Sequence, residues 1–312
     1  MNPYVVTVTL NPALDKTVTL DKLKVGGLNR VGNIRVDPGG KGVNVAKVLN
    51  KFGVNVVAAG LIAGFQGQLL LQYLEEERIK SRFIKVQGET RVNMKIIEEQ
   101  TETMTEINEA GFAVNNKALE EFEEELSGLL EQASLLVLSG SLPRGVQDSV
   151  YRKYIELAKG RGVKTILDAD GDVLKEGIKA LPYAIKPNIH ELEKLFGRKM
   201  ADDMEITRAA RQLIHEGINL VIVSKGAEGA VVLDKNVTYS VKPFPIIPKS
   251  TVGAGDSMVA ALAYTLMNNK PLCDIARWVT TAGTVTASKP GTQVCEIGEV
   301  QQFLDQVQLA KL

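Results

Sequence analysis

Short apolar runs rich in β-branched residues alternate with segments of helical period along nearly the whole chain, and this alternation leaves few folds open. Residues 4–10, 54–59, 135–138, 165–167, 184–186 and 220–224 read as strands. Between them, Leu119, Phe122, Leu126, Leu129 and Leu130 fall on one helical face with glutamates opposite. Val45, Val48, Leu49 and Phe52 make a second such face, which stops at Gly53, a residue suited to the position just past a helix. A βαβα succession of this kind predicts an α/β fold with a mainly parallel sheet covered by helices on both faces. In such sheets ligands bind beyond the carboxyl ends of the strands, so motifs in those loops carry the most weight.

Two stretches, about 17–36 and 90–108, break the rhythm. Thr17–Leu20, Gly32–Val36, Val92–Ile97 and Thr103–Ile107 read as strands with no helix between them. They predict a small second sheet that cannot stand alone and must pack on the main body or a partner chain. It reads either as a lid or dimer clasp, or as a pair of surface hairpins.

Charge narrows the function. Lys plus Arg and Asp plus Glu both number 37, so the basic excess expected of a nucleic-acid or membrane-surface binder is missing. Any anion site must be a local arrangement of donors. With 45% hydrophobic residues in 312, the chain can bury a full core. The start of the sequence has neither a basic leader segment nor an apolar run long enough to span a bilayer, and a cytoplasmic location is expected. Cys273 and Cys295 show no pairing motif, so neither a disulfide nor a thiolate metal site is expected. His190 and His215 read as helix-surface residues.

The strongest chemical signal is Thr251-x-Gly-Ala-Gly-Asp256 running into a helix-forming stretch. Small residues leave the backbone amides at a helix N-terminus open to an anion. An Asp in that first turn can take a proton from a hydroxyl attacking a phosphate. The same residues also read as a tight turn and a helix-start carboxylate. Neither the phosphate loop Gly-x4-Gly-Lys-Ser/Thr nor a full dinucleotide Gly-x-Gly-x-x-Gly occurs, which disfavours a dehydrogenase. A second glycine-rich stretch, Asp37-Pro-Gly-Gly-Lys-Gly-Val-Asn44, opens another helix. There Lys41 suits a phosphate and Asn44 suits sugar hydroxyls. Asp15, just after the first strand, is a carboxylate placed for vicinal hydroxyls, or a plain loop residue.

Asn11-Pro…Asp15, Gly39-Gly-Lys-Gly-x-Asn44, Gly88-Glu-Thr-Arg91, Ser139-Gly-Ser-Leu-Pro143, Lys186-Pro-Asn188…Glu191, Ser224-x-Gly226…Gly229 and Thr251-x-Gly-Ala-Gly-Asp256 follow one another in that order. Together they resemble the PfkB, or ribokinase-like, carbohydrate kinases, and especially the 1-phosphofructokinase and tagatose-6-phosphate kinase branch. The resemblance spans essentially the whole chain. It implies one doubly wound αβα three-layer domain over residues 1–312, with the two strand-only segments as a small β-sheet lid through which a homodimer forms.

By the same resemblance, Asp256 is the catalytic base and the amides of Gly253, Ala254 and Gly255 form the anion hole. Asp15, Gly39, Gly40 and Asn44 would hold the sugar. Lys41 and Arg91 would hold a phosphate already on it, with Ser139 and Arg30 as further donors. ATP would lie along Lys186, Asn188, Ser224, Gly226, Gly229 and Thr251. Mg²⁺ would be held through water by Asn188 and Glu191, and K⁺ is a further expectation. The stretch 186–191 reads equally as a strand end followed by a capped helix.

Two departures stand out. Ser250-Thr251 replaces the Asp-Thr common before the glycine loop, which points away from ribokinase and nucleoside kinases. Asp168-Ala-Asp170-Gly171 has Asp where the branch usually has Ser, and no role follows from the sequence. The expected reaction is ATP-dependent phosphorylation of D-fructose 1-phosphate at the 6-hydroxyl. Tagatose 6-phosphate and fructose 6-phosphate are the alternative acceptors. Lys41 disfavours the 6-phosphofructokinase form, and Asn108 beside the lid fits the 1-phosphofructokinase branch. A non-catalytic sensor of sugar phosphate or nucleotide is the alternative of a different class.

Overall fold

The computed structural model describes residues 3–101 and 103–312. From the start of the chain come β1 (Tyr4–Thr9), β2 (Ala13–Leu20), β3 (Asn33–Gly39), α1 (Lys41–Lys51), β4 (Val56–Ala63), α2 (Gly64–Glu76) and β5 (Lys80–Val86). Next are β6 (Arg91–Glu98), β7 (Thr103–Asn108), α3 (Asn116–Leu130), β8 (Ala133–Ser139), α4 (Val150–Lys159), β9 (Lys164–Asp168) and α5 (Gly171–Ile178). Then follow β10 (Ala184–Ile185), α6 (Ile189–Phe196), α7 (Asp203–Glu216), β11 (Leu220–Ser224), β12 (Ala230–Leu233) and β13 (Thr238–Lys242). The chain closes with α8 (Ala254–Met267), α9 (Leu272–Ala287), α10 (Ile297–Phe303) and β14 (Gln308–Lys311).

The main sheet has ten strands in the order β14-β13-β12-β11-β10-β9-β8-β1-β4-β5. From β11 to β5 all pairs are parallel, while β12, β13 and β14 add an antiparallel edge. Successive side chains of β1 serve opposite faces: Val5 joins one apolar cluster, Val6 and Val8 the other. The first cluster packs under α1, α8 and α9, and the second under α3, α4 and α7. Burial on both faces explains why these strands read as continuous apolar runs. The order reverses at β1, with β4 on one side and β8 on the other. That switch point, at the carboxyl ends of β1, β8, β9 and β10, is where a doubly wound sheet opens a crevice.

All six strand readings fall in this sheet, with one shift: residues 54–59 become β4, Val56–Ala63. The sequence reading stops this strand at residue 59, before Gly60. Gly60 is a point of close approach, since a Cβ there would stand 1.9 Å from the Thr9 carbonyl oxygen. The sequence reading did not identify β5 or the antiparallel edge.

A second sheet, in the order β3-β2-β6-β7, covers the two strand-only segments. Its central pair, β2 and β6, is parallel and in register from Ala13↔Arg91 to Leu20↔Glu98. One face carries Val18, Leu20, Met94 and Ile96, and Ile34 and Ile107 pair onto it from the flanking strands. The other carries Arg91, Asn93 and Lys95 of β6 beside Asp15 and Thr17 of β2, with Asp15, Thr17 and Lys95 buried. Both faces are buried at their centre, the apolar one at Val18, Leu20 and Ile96, while its flanking Ile34 and Ile107 stay exposed.

Candidate active site

The loop before α8 ends at Gly253, whose φ of 75° is left-handed and suits glycine. No side chain caps α8, so its first amides are left for another acceptor. Those of Gly253 and Gly255 find none among the described residues. Ala254 differs from expectation here, because its N–H turns back onto the Thr251 carbonyl at 3.3 Å. Asp256 lies in the first turn, 7% exposed, and its Oδ2 accepts a hydrogen bond from Asn44 Nδ2 at 2.8 Å. Burial, and then the charge of Asp168, push its carboxyl up to about 6, against the pull of Lys41, Asn44 and Lys186. A carboxylate so tuned is ionised at neutral pH yet basic enough to take a proton.

Asp168, for which the sequence offered no role, is the hub of the site. It ends β9, is 1% exposed, and its Oδ1 stands 3.5 Å from Lys41 Nζ and 3.2 Å from Lys186 Nζ. Burial alone would lift its carboxyl, but Lys186 and Lys41 hold it below the ordinary carboxylate range. Asp168 in turn raises Lys41, over the opposing effect of burial. One buried carboxylate thus draws together the lysine assigned to the sugar phosphate and the lysine assigned to the nucleotide. Lys186 also lies against the glycine loop, since a Cβ on Gly255 would sit 3.6 Å from its Nζ. Ser139 pairs with Asp168 across β8 and β9, and the Ser139 Oγ and Asp168 Oδ2 are buried without a partner.

The second sheet supplies the opposite wall. Asp15 Oδ1 accepts from Asn93 Nδ2 at 3.0 Å, and its Oδ2 accepts from Lys95 Nζ at 2.9 Å. Gly39 is pressed against this carboxylate, where a Cβ would be 2.7 Å from Asp15 Cγ. Gly40, at φ 102°, turns the chain into α1. Arg91 donates twice to the Asn11 carbonyl, at 3.1 and 3.3 Å, and reaches Ser141 Oγ at 3.5 Å. Ser141, rather than the buried Ser139, is therefore the hydroxyl beside Arg91. Burial lowers the Arg91 guanidinium. Next to it an open cleft of about 620 Å³, lined by Glu89, Glu109, Phe112 and Arg144, leads to the surface. Arg30 sits in the exposed connection between β2 and β3, with no hydrogen bond or ion pair to this cluster among the described residues.

At the nucleotide end, Asn188 caps α6. Its Oδ1 accepts from Glu191 N at 2.9 Å and Glu191 Oε2 accepts from Asn188 N at 2.8 Å, a reciprocal capping box. The capped-helix reading of 186–191 is thus realised, and burial raises the Glu191 carboxyl. Asn188 bridges to Ser224, and Gly226 and Gly229 form the turn that follows β11. A Cβ on Gly226 would meet nothing within 4 Å, so this turn can take a ligand face. Thr251 is exposed in the loop before α8. Among the described residues no three His, Cys, Asp or Glu side chains gather as a metal cage. That donor set fits an Mg²⁺ that arrives on the nucleotide and keeps its waters, with Glu191 Oε1 left over from the cap to hold one.

The sequence reading missed Asp168, Asn93 and Lys95. The alternation Arg91-x-Asn93-x-Lys95 on a strand was a usable signal, since it puts three polar groups on one face.

The pfkB family carbohydrate kinase pattern matches residues 8–297. The chain is 37% identical over 273 residues to a 1-phosphofructokinase of Xanthomonas campestris pv. campestris, covering 86% of each chain. It is 33% identical over 312 residues to a 1-phosphofructokinase of Vibrio cholerae, covering 100% of this chain and 98% of that one. Its structure superposes on phosphofructokinase-2 from Escherichia coli in complex with potassium with a TM-score of 0.92, at 29% identity, over 98% of this chain and 99% of the other. The same E. coli enzyme is also known in a tetrameric inhibited form. With that pattern across most of its length and two 1-phosphofructokinases at 33–37% identity, the chain belongs to the pfkB family of carbohydrate kinases.

Proposed function

We propose that this kinase transfers the γ-phosphoryl group of ATP to the 6-hydroxyl of D-fructose 1-phosphate, giving fructose 1,6-bisphosphate and ADP. The observation that carries this reading is the meeting of Lys41 and Lys186 on Asp168 beside Asp256. Two cations flanking one base fit two phosphate-bearing substrates. Asp256 takes the hydroxyl proton as the oxygen attacks. The amides of Gly253 and Gly255, joined by that of Ala254 once it leaves Thr251, receive the charge that develops on the transferring group. Asp15 and Asn44 hold sugar hydroxyls, while Lys41 and Arg91 hold the phosphate already present. Lys186, Asn188, Ser224, Gly226, Gly229 and Thr251 line the nucleotide. Mg²⁺, when bound with the nucleotide, neutralises charge on its phosphates. The potassium complex of the E. coli relative supports a K⁺ site near the loop before Asp256.

The second sheet acts as the lid, closing its polar face over the sugar and excluding water. Ile34 and Ile107 on its apolar face are 51% and 55% exposed, and Leu28 in the β2–β3 connection is 73% exposed, which supports a homodimer formed through this sheet. No described helix is long and apolar enough to cross a membrane. We place the reaction in the cytoplasm. An ADP-release assay over fructose 1-phosphate, tagatose 6-phosphate, fructose 6-phosphate and fructose tests the assignment, with EDTA and Na⁺-for-K⁺ arms. Fructose 1-phosphate should give the highest kcat/KM, and preference for free fructose would sink the phosphosugar reading.

A further inference from the structure

Lys95 has no part in the reaction as written, yet it is a buried lysine inside the sugar wall. Its side chain is 8% exposed and that of its partner Asp15 is 7% exposed, with 2.9 Å between them. A buried ion pair is a weak source of stability, because desolvating two charges offsets most of their attraction. Holding β2 to β6 is therefore a poor account of why it is there; the strands are already in register over eight residue pairs.

We infer that Lys95 is a positioning residue for the phosphosugar, acting through Asp15. An incoming sugar phosphate carries negative charge into a pocket where an unneutralised carboxylate would repel it. Asp37, opposite Asp15 in the same sheet, is neutralised by Arg35. Lys95 does the same for Asp15 while leaving it able to accept. Asn93 takes one lone pair of Oδ1 and Lys95 one of Oδ2, so each oxygen keeps a second for a substrate hydroxyl. The product is a neutralised acceptor of two adjacent hydroxyls, suited to a vicinal diol on an anionic sugar.

This inference rests on the phosphosugar reading above, and the test separates the two. The wild-type protein is first run on the sugar panel, where failure of fructose 1-phosphate appears without any variant. With the preferred sugar phosphate, Lys95→Met should raise its KM about tenfold or more, while kcat and the KM for ATP change by less than about threefold. Lys95→Arg should restore the phosphosugar KM. In an Asp15→Asn background, Lys95→Met should add less than about a twofold loss, since the charge it neutralised is gone. Melting temperatures identify a variant that fails to fold, in which case Lys95→Gln takes its place with the same expectation. An unchanged phosphosugar KM, or an equal penalty in both backgrounds, overturns the inference.

Discussion

Asp256, the base proposed above, is buried, and burial makes its ionised form costly to fold. Its folded-state value of about 6 lies above the ordinary 3.8, so the folded protein binds the proton more tightly than the unfolded chain does. Stability therefore falls as pH rises between those two values, by on the order of 3 kcal/mol in all. Asp256→Asn should lower turnover by roughly 10²–10⁴-fold, and also raise the urea midpoint at pH 8. The gain should fade as pH approaches 4; a variant less stable than wild type at pH 8 would contradict it. In the wild type, kcat/KM for the sugar should fall tenfold per unit once the pH drops below about 6. Asp168→Asn removes a charge that raises Asp256, so its acid limb should move to lower pH, which a pH–rate profile reads directly. Asp256 was legible in the sequence because its loop is local. Asp168 was not, because its partners Lys41 and Lys186 come from the ends of other βα units and meet it only in the crevice.

At the scale of elements, glycines read as a permissive phosphate loop prove to have separate steric duties. Gly42 lets α1 lie on β1: a Cβ there would stand 2.4 Å from Thr9 Oγ1 and 2.5 Å from the Val8 carbonyl oxygen. Gly42→Ala must push helix and strand apart, and should cost about 1–3 kcal/mol in chemical denaturation even though alanine favours helices. A neutral or stabilised variant would show that α1 can shift freely. The helices and the parallel strands were legible because their patterns are local, whether a one-sided stripe or a continuous apolar run. The edge strands β13 and β14 were not, since β13 mixes polar with apolar residues and β14 is short and largely exposed, while the buried run of β12, only four residues long, was overlooked. The parallel pairing of β2 with β6 joins segments about seventy residues apart and has no local signature.

For the whole molecule, the unusual feature is a small sheet with buried polar residues on one face and an apolar face whose flanking Ile34 and Ile107 stay exposed. Ile107→Asp should convert the homodimer proposed above into monomers by sedimentation equilibrium, with the main sheet still folded by circular dichroism. A wild-type protein that sediments as a monomer at micromolar concentration would remove that proposal. The sequence showed that a second sheet exists, but not that its polar face is buried, because Asn93 and Lys95 look like ordinary solvent-facing residues until Asp15 is placed beside them. The consequence of the proposed homodimer is one of mass action. In that proposed dimer, exposed Ile34 and Ile107 would be covered only by a second copy, which would tie the order of the proposed sugar wall to protein concentration. On that proposal dilution would act as an inhibitor: it binds nothing, and it would loosen the side of the site proposed to receive the sugar.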